Sequence, residues 1–364
     1  MTLHIFNPEH DIALAAGLDN FTAPHAGRQL RHDLGWLPVL WATERDLILV
    51  DDVEYAQRKL QRRKRILPHH DIQLRAWPQQ TNLQPERIDV WGWNADIRSR
   101  LRRIGINEEL LPDDEQLEQI RQLSHRRTSA KLLAQLTKTD TSSSSLLTGE
   151  AKECKTMEDV LAAISQWGHV VMKAPWSSSG RGIRFVKRDM SISERGWLKN
   201  ILQHQGSVML EPYYNKVKDF GMEFYSDGRG HVNYQGLSLF HTANGAYTGN
   251  LLATENHKRE ELMRFLPIAL LGAVRQAIVQ NLSDTIGLHY EGPFGIDMMI
   301  VSHTPPTKHF VLHPCVEINL RRTMGHVAIA LNTIVNPGND DDLVRVMRIN
   351  YIDNQYKLEI TRLK

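Results

Sequence analysis

The sequence predicts an α/β chain in two parts: a parallel α/β unit, then a strand-rich portion built of antiparallel sheets. Three observations carry this expectation. Apolar runs alternate with helical patterns through the first third of the chain. Strand patterns then crowd together from about residue 160 onward. Two late runs, "GPFGIDMMIV" (292–301) and "HFVLHPCVEINL" (309–320), flank a short proline-containing stretch that suits a hairpin loop.

In the first third, "LHIF" (3–6), "LPVLWA" (37–42) and "RIDVWGW" (87–93) read as strands, with helices expected at 24–34, 52–65 and 94–105. The stretch "VEYAQRKLQRRKRILP" (53–68) is dense in positive charge. It reads as a solvated helix face, with a nucleic-acid patch as the alternative. Pro112, Asp113 and Asp114 open a helix running through Leu123, and "SHRRTSAKLLAQLTK" (124–138) is a second helix with Ser124 as its N-cap. A polar loop, "TDTSSSS" (139–145), follows. Strands are expected at 169–173, 183–187, 207–212, 221–226, 231–239, 294–301 and 309–319. Leu262, Phe265, Leu266, Ala269, Leu270, Ala273, Val274, Ala277 and Ile278 recur with helical period, predicting one long helix over 258–281 kinked at Pro267. The boundaries this implies are 1–123, 124–206 and 207–364.

Composition narrows the function classes. The 364 residues hold 44 Lys and Arg against 42 Asp and Glu, a net charge of +2. That balance argues against bulk attraction to nucleic acid or to a membrane. Cys154 and Cys315 are the two cysteines, too few for a disulfide framework or a CxxC metal knuckle. The opening "MTLHIFNPEHDIALA" is acidic where a signal peptide needs a basic start, so a cytoplasmic protein is expected.

Two constellations suggest chemistry. In the second late strand Glu317 and Asn319 stand two apart and share a sheet face, and a hairpin would bring Asp297 opposite them. Two carboxylates and an amide oxygen on one face suit a hard cation such as Mg²⁺. The alternative is three solvated polar residues, but Asp297 and Glu317 are embedded in apolar runs, where an unpaired carboxylate is costly. The second constellation is "VVMKAPWSSSGRGIRFV" (170–186), in which Lys173 ends an apolar run before a small-residue loop. Neither a Walker A nor a GxGxxG pattern is present, since the lysine precedes the loop and a strand follows it. What remains is a hairpin flap. Ser177, Ser178, Ser179, Gly180 and Gly182 could turn backbone N–H groups toward a polyphosphate, with Lys173 as a point charge. The competing reading is a polar turn with a lysine reaching water.

Together these motifs resemble the ATP-grasp superfamily over roughly residues 124–335. The resemblance implies an N-terminal parallel α/β domain before a two-subdomain grasp with antiparallel sheets. It implies that Arg127, in "HRRTSAKLL", takes the place of an upstream phosphate-binding lysine. In "SVMLEPYY", Glu211 would read the adenine amino group, with Tyr213 and Tyr214 contributing backbone. Asp219 would contact ribose or metal, and Met299 and Val316 would line the base. Asp297, Glu317 and Asn319 would hold Mg²⁺, with two ions or Mn²⁺ admitted. Arg321 or Arg322 would steady an acyl phosphate or bind the acceptor.

The implied activity is ATP-dependent ligation of a carboxylate to an amine or similar nucleophile through an acyl phosphate, releasing ADP. A small-molecule kinase and a non-catalytic ATP-binding regulator are the alternatives. Small-molecule or peptide substrates are expected, and a homodimer is left open. "FHTANGAYTGNLLA" (240–253), read as a loop carrying Tyr247, Thr248 and Asn250, is one candidate acceptor site. The other is "NPEHDIALAAG" (7–17), with Asn7, Glu9, His10 and Asp11 after the first strand, where helix capping by Asp11 competes.

Overall fold

A computed structural model describes residues 1–63, 72–80, 82–138, 144–177, 182–243, 246–302 and 309–363. The chain opens with four strands, β1 (Thr2–Ile5), β2 (Leu47–Val50), β3 (Gln73–Ala76) and β4 (Arg87–Val90). They form a parallel sheet in the order β3-β2-β1-β4. Helices α1 (His10–Ala16), α2 (His25–Leu34), α3 (Val53–Gln61) and α4 (Ala95–Arg103) run between and after these strands. The strand expected at 37–42 is instead a buried 3₁₀ turn, Leu37–Leu40. Pro38 explains the difference: it lacks the N–H a central strand must donate, yet suits the first turn of a helix. The turn is apolar because it packs against the side chains of Val327, Ala328 and Leu331.

Helix α5 (Asp114–Leu123) begins with a capping box between Asp113 and Gln116. Helix α6 (Arg126–Lys138) follows almost at once. Ser124 does not cap it. Its hydroxyl donates back to the Ile120 carbonyl as the C-cap of α5, while the His125 ring accepts from the Arg127 N–H. Next comes an antiparallel sheet, β5 (Lys152–Cys154), β6 (His169–Lys173), β7 (Ile183–Lys187) and β8 (Val208–Pro212), ordered β5-β8-β6-β7. Helices α7 (Met157–Trp167) and α8 (Ile192–Gln205) bury Val160, Ala163, Ile164, Leu198 and Ile201 against it.

The remaining strands are β9 (Lys216–Asp227), β10 (Val232–Ser238), β11 (Phe240–Ala243), β12 (Ala246–Leu252), β13 (Glu291–Ser302), β14 (Phe310–Asn319), β15 (Arg345–Ile352) and β16 (Gln355–Arg362). They make two further antiparallel sheets, β10-β9-β13-β14 and β11-β12-β15-β16. The segment read as a loop at 240–253 is therefore a hairpin. The final hairpin, β15–β16, was not foreseen. Its sequence signal is a pair of alternating runs around Asp353-Asn354, whose φ values of 53° and 57° make the tight turn such hairpins use.

Helices α9 (Glu255–Met263), α10 (Ile268–Ser283), α11 (Ile286–His289) and α12 (Met324–Val335) complete the chain. The single helix expected over 258–281 is broken, since α9 and α10 meet at 116° with Pro267 just ahead of α10. No single helix among the described residues is long and apolar enough to cross a membrane. The central sheet buries Phe220, Phe224, Phe294 and Ile296, and α6 lays Leu132, Leu133 and Leu136 on this core. The start of α6 therefore lies where the small and central sheets meet.

Candidate functional site

The β13–β14 hairpin forms in the expected register. Asp297 of β13 pairs directly with Glu317 of β14, and the Asn319 amide donates to the Asp297 carboxylate at 3.1 Å. Glu223 of β9 is the next acid, paired with Gly295 beside Asp297, accepting from the Thr323 hydroxyl at 2.8 Å, with the His326 ring 3.0 Å away. Burial, then the charges of Glu317 and Glu223, push the Asp297 carboxyl up to about 8. Negative charge is thus crowded where it is poorly hydrated. Asp297 and Glu317 could offer oxygen donors to a divalent cation, and Asn319 a third if its side-chain oxygen, which here accepts from Arg321, were released. Among the described residues no three carboxylate, imidazole or thiol side chains converge on one point.

Arg126 closes this site from the small-sheet side. Its guanidinium donates to Glu317 at 2.7 Å and to the carbonyls of Ala174 and Ser177 at the base of the loop after β6. Arg127, the residue expected here, points elsewhere, forming an ion pair of 3.1 Å with Glu153 that lacks the alignment of a hydrogen bond. Sequence could not separate the neighbours, because only the phase of α6 decides which one faces inward.

Lys173 and Glu211 lie on the same face of adjoining strands, and the ammonium donates to both carboxylate oxygens at 2.6 and 2.7 Å. Both are almost fully buried. Glu211 is therefore occupied by Lys173 here, so the two cannot be treated as independent contacts. Ser177 and Gly182 frame the loop, where a Cβ on Gly182 would fall 2.3 Å from that of Ser177. Ser178, Ser179 and Gly180 lie outside the described residues.

Beyond Glu211, the Tyr213 ring stacks on His169 at 4.0 Å and stays half exposed, while the Tyr214 hydroxyl accepts from the Glu150 N–H. Met299, Val301 and Val311 form an apolar wall with Tyr214 and Val316 against it. Asp219 pairs with Met299 across the sheet and is held by Lys216 and Thr242. His313, which the sequence reading passed over, sits opposite Met299 under the edge of the Tyr214 ring. It is fully buried with both ring nitrogens unpartnered, and burial lowers it to about 4.

The two late arginines reach into the parallel domain. Arg321, two residues past the end of β14, donates to the Asn319 side-chain oxygen at 3.1 Å and grips Asp11 at 2.8 Å. Burial alone would raise the Asp11 carboxyl, but Arg321 holds it below its ordinary range. Arg322 turns away, bonding Asp89 and stacking over Trp41 at 4.2 Å. Asn7 and His10 lie against Gly92, at the ends of β1 and β4 where a parallel sheet opens its crevice. Tyr247, Thr248 and Asn250 sit in the β11–β12 hairpin, with Tyr247 donating to Asn250 and Asn250 to Ser238.

No known family model matches the sequence, and no curated protein matches it significantly. Solved structures do. The biotin carboxylase domain of Hydrogenobacter thermophilus 2-oxoglutarate carboxylase, solved with MgADP and bicarbonate, aligns with TM-score 0.51 at 11% identity, over 96% of this chain and 74% of that one. Campylobacter jejuni biotin carboxylase aligns with TM-score 0.50 at 10% identity, over 96% and 75%. The fold is ATP-grasp. An N5-carboxyaminoimidazole synthetase from Staphylococcus aureus, solved with ADP, also aligns, with TM-score 0.49, 12% identity and 96% and 82% coverage. The small sheet carries Lys173 and Glu211, and the central sheet carries Asp297 and Glu317 with Asn319.

Proposed function

We propose that the protein is an ATP- and Mg²⁺-dependent ligase that joins a carboxylate to an amine or similar nucleophile through an acyl phosphate, releasing ADP and phosphate. The observation that carries this reading is the direct pairing of Asp297 with Glu317 beside Asn319, with Arg126 linking Glu317 to the base of the loop that follows Lys173. Asp297, Glu317 and Asn319 would hold the cation, which neutralises phosphate charge when bound. Lys173 and Arg126 supply positive charge at the base of the loop, held in advance by Glu211 and Glu317, so their orientation costs little during reaction. Glu211 and the wall of Met299, Val316 and Tyr214 would receive the base. Arg321, clamped by Asp11, presents its guanidinium beside Asn319, where it would orient the acceptor carboxylate. Arg322 serves the domain junction instead.

The test is ADP release from pools of carboxylates with and without amines. Release that needs both supports a ligase. A stable phosphorylated product without amine would replace it with a kinase, and tight ATP binding without turnover with a regulator. Glu317→Gln should retain its circular dichroism and lose most Mg²⁺-dependent turnover. Near-normal turnover at limiting Mg²⁺ would remove the metal assignment.

A further inference from the structure

The basic stretch near residue 60 has no part in the site above, yet it does not form a plain solvated helix face. The end of α3 and the start of β16 enclose a recess of about 340 Å³ lined by Lys59, Arg62, Arg63, Gln355 and Lys357. That volume reaches the lower end of small-molecule sites. Among the described residues its lining holds four cations and no carboxylate.

The charges are not answered from within. Lys59 is buried, and among the described residues its ammonium donates to the neutral Gln355 side-chain oxygen alone, at 3.0 Å, above the Tyr55 ring. Arg63 donates to the carbonyls of Lys59 and Leu358 and lies over Trp36, again without a carboxylate. The one ion pair of Lys357 is with Asp353, which is largely exposed. The nearest buried acid, Asp33, is already engaged by Gln29, Tyr55 and the Tyr356 N–H. Burial lowers the Lys59 ammonium; Asp33 offsets part of this, and Arg63, Arg62 and Lys357 lower it further. A solvated helix face would spread these cations apart. Here residues nearly 300 positions distant, through the Lys59–Gln355 and Arg63–Leu358 bonds, gather them around one hollow.

We propose that this recess binds a small polyanion, of the phosphate or pyrophosphate class, and that the bound anion ties α3 to the β15–β16 hairpin. A guanidinium pair and two ammonium groups match several phosphate oxygens, with Gln355 as a neutral donor. The small volume of this half-open recess favours a small ligand over a nucleic-acid strand. The site is separate from the proposed nucleotide site and stands whether or not the ligase reading does.

The probe is inorganic pyrophosphate, titrated at constant ionic strength without divalent metal. Binding is followed by calorimetry, and stability by thermal unfolding. Wild type should bind with a saturable rise in the unfolding midpoint of roughly 3 °C or more when the anion is far above its Kd. Arg62→Ala/Lys357→Ala, both at the rim, should lose at least ten-fold in affinity. Lys173→Met/Glu211→Gln, which removes both charges of the buried pair together, should keep the effect. Loss in the Lys173 variant with retention in the Arg62 variant would move the anion to the proposed nucleotide site and overturn the proposal. Equal stabilisation by sodium chloride of matched ionic strength would reduce the effect to screening, and no binding would also overturn it. Pyrophosphate binding that a single-stranded oligonucleotide outcompetes by a hundred-fold would overturn the small-ligand assignment.

Discussion

Arg126 is the most informative residue to perturb, because it joins Glu317 to the base of the loop after β6. Arg126→Met removes a guanidinium whose side chain is 6% exposed and leaves Glu317, 25% exposed, facing Asp297 without its cation. Breaking a buried pair from one side costs about 3–5 kcal/mol. Glu317 keeps some access to water, so the lower end, about 3 kcal/mol, is expected. Glu317→Gln alone should cost less, because Arg126 keeps the Ala174 and Ser177 carbonyls as acceptors. The double variant should cost less than the sum of the singles by about 2 kcal/mol, within the range seen for residues in contact. Urea unfolding in metal-free buffer, with all four proteins, measures this. Additivity within about 0.5 kcal/mol would mean that the two side chains are not coupled and that Arg126 has no place in the site.

Three further outcomes follow from the geometry. Gly325→Ala puts a Cβ 1.9 Å from a Glu223 carboxylate oxygen, so it should cost about 1–3 kcal/mol, and Glu223→Ala should recover part of that loss; an unchanged urea midpoint would refute the packing. Lys173→Met should lower turnover by roughly 10²-fold. The added Glu211→Gln should restore stability without restoring turnover, and intact turnover in the single variant would end the phosphate assignment. Burial holds His10, His125 and His313 down at about 4. Above pH 6.5 both states are neutral there. Between about pH 6.5 and pH 4 the unfolded chain takes up protons that the folded chain refuses, so stability should fall by up to about 1.4 kcal/mol per unit for each histidine. A denaturation midpoint flat from pH 7 to 5 would contradict this.

What was legible in the sequence was local or periodic. Period-two alternation located Asp297, Glu317 and Asn319 on one sheet face, and the hairpin register followed from loop length. The strand ending at Lys173 and the strand carrying Glu211 were equally readable, because apolar runs bounded by small residues admit little else. What only the tertiary structure decided depends on contacts between distant segments. Helix phase relative to the sheets turned Arg126 toward Glu317 and Arg127 toward Glu153. The crossing of β14 onto the parallel domain gave Arg321 its partner Asp11, 310 residues away. The pairing of Lys173 with Glu211 came from strand neighbours, β6 against β8, that no local pattern encodes. The basic stretch shows the same limit. Its charge was visible in the chain, but whether those charges face water or one another depends on a hairpin that arrives almost 300 residues later. Side-chain identity and period are local quantities, whereas electrostatic partnership is set by distances that exist only once the layers pack.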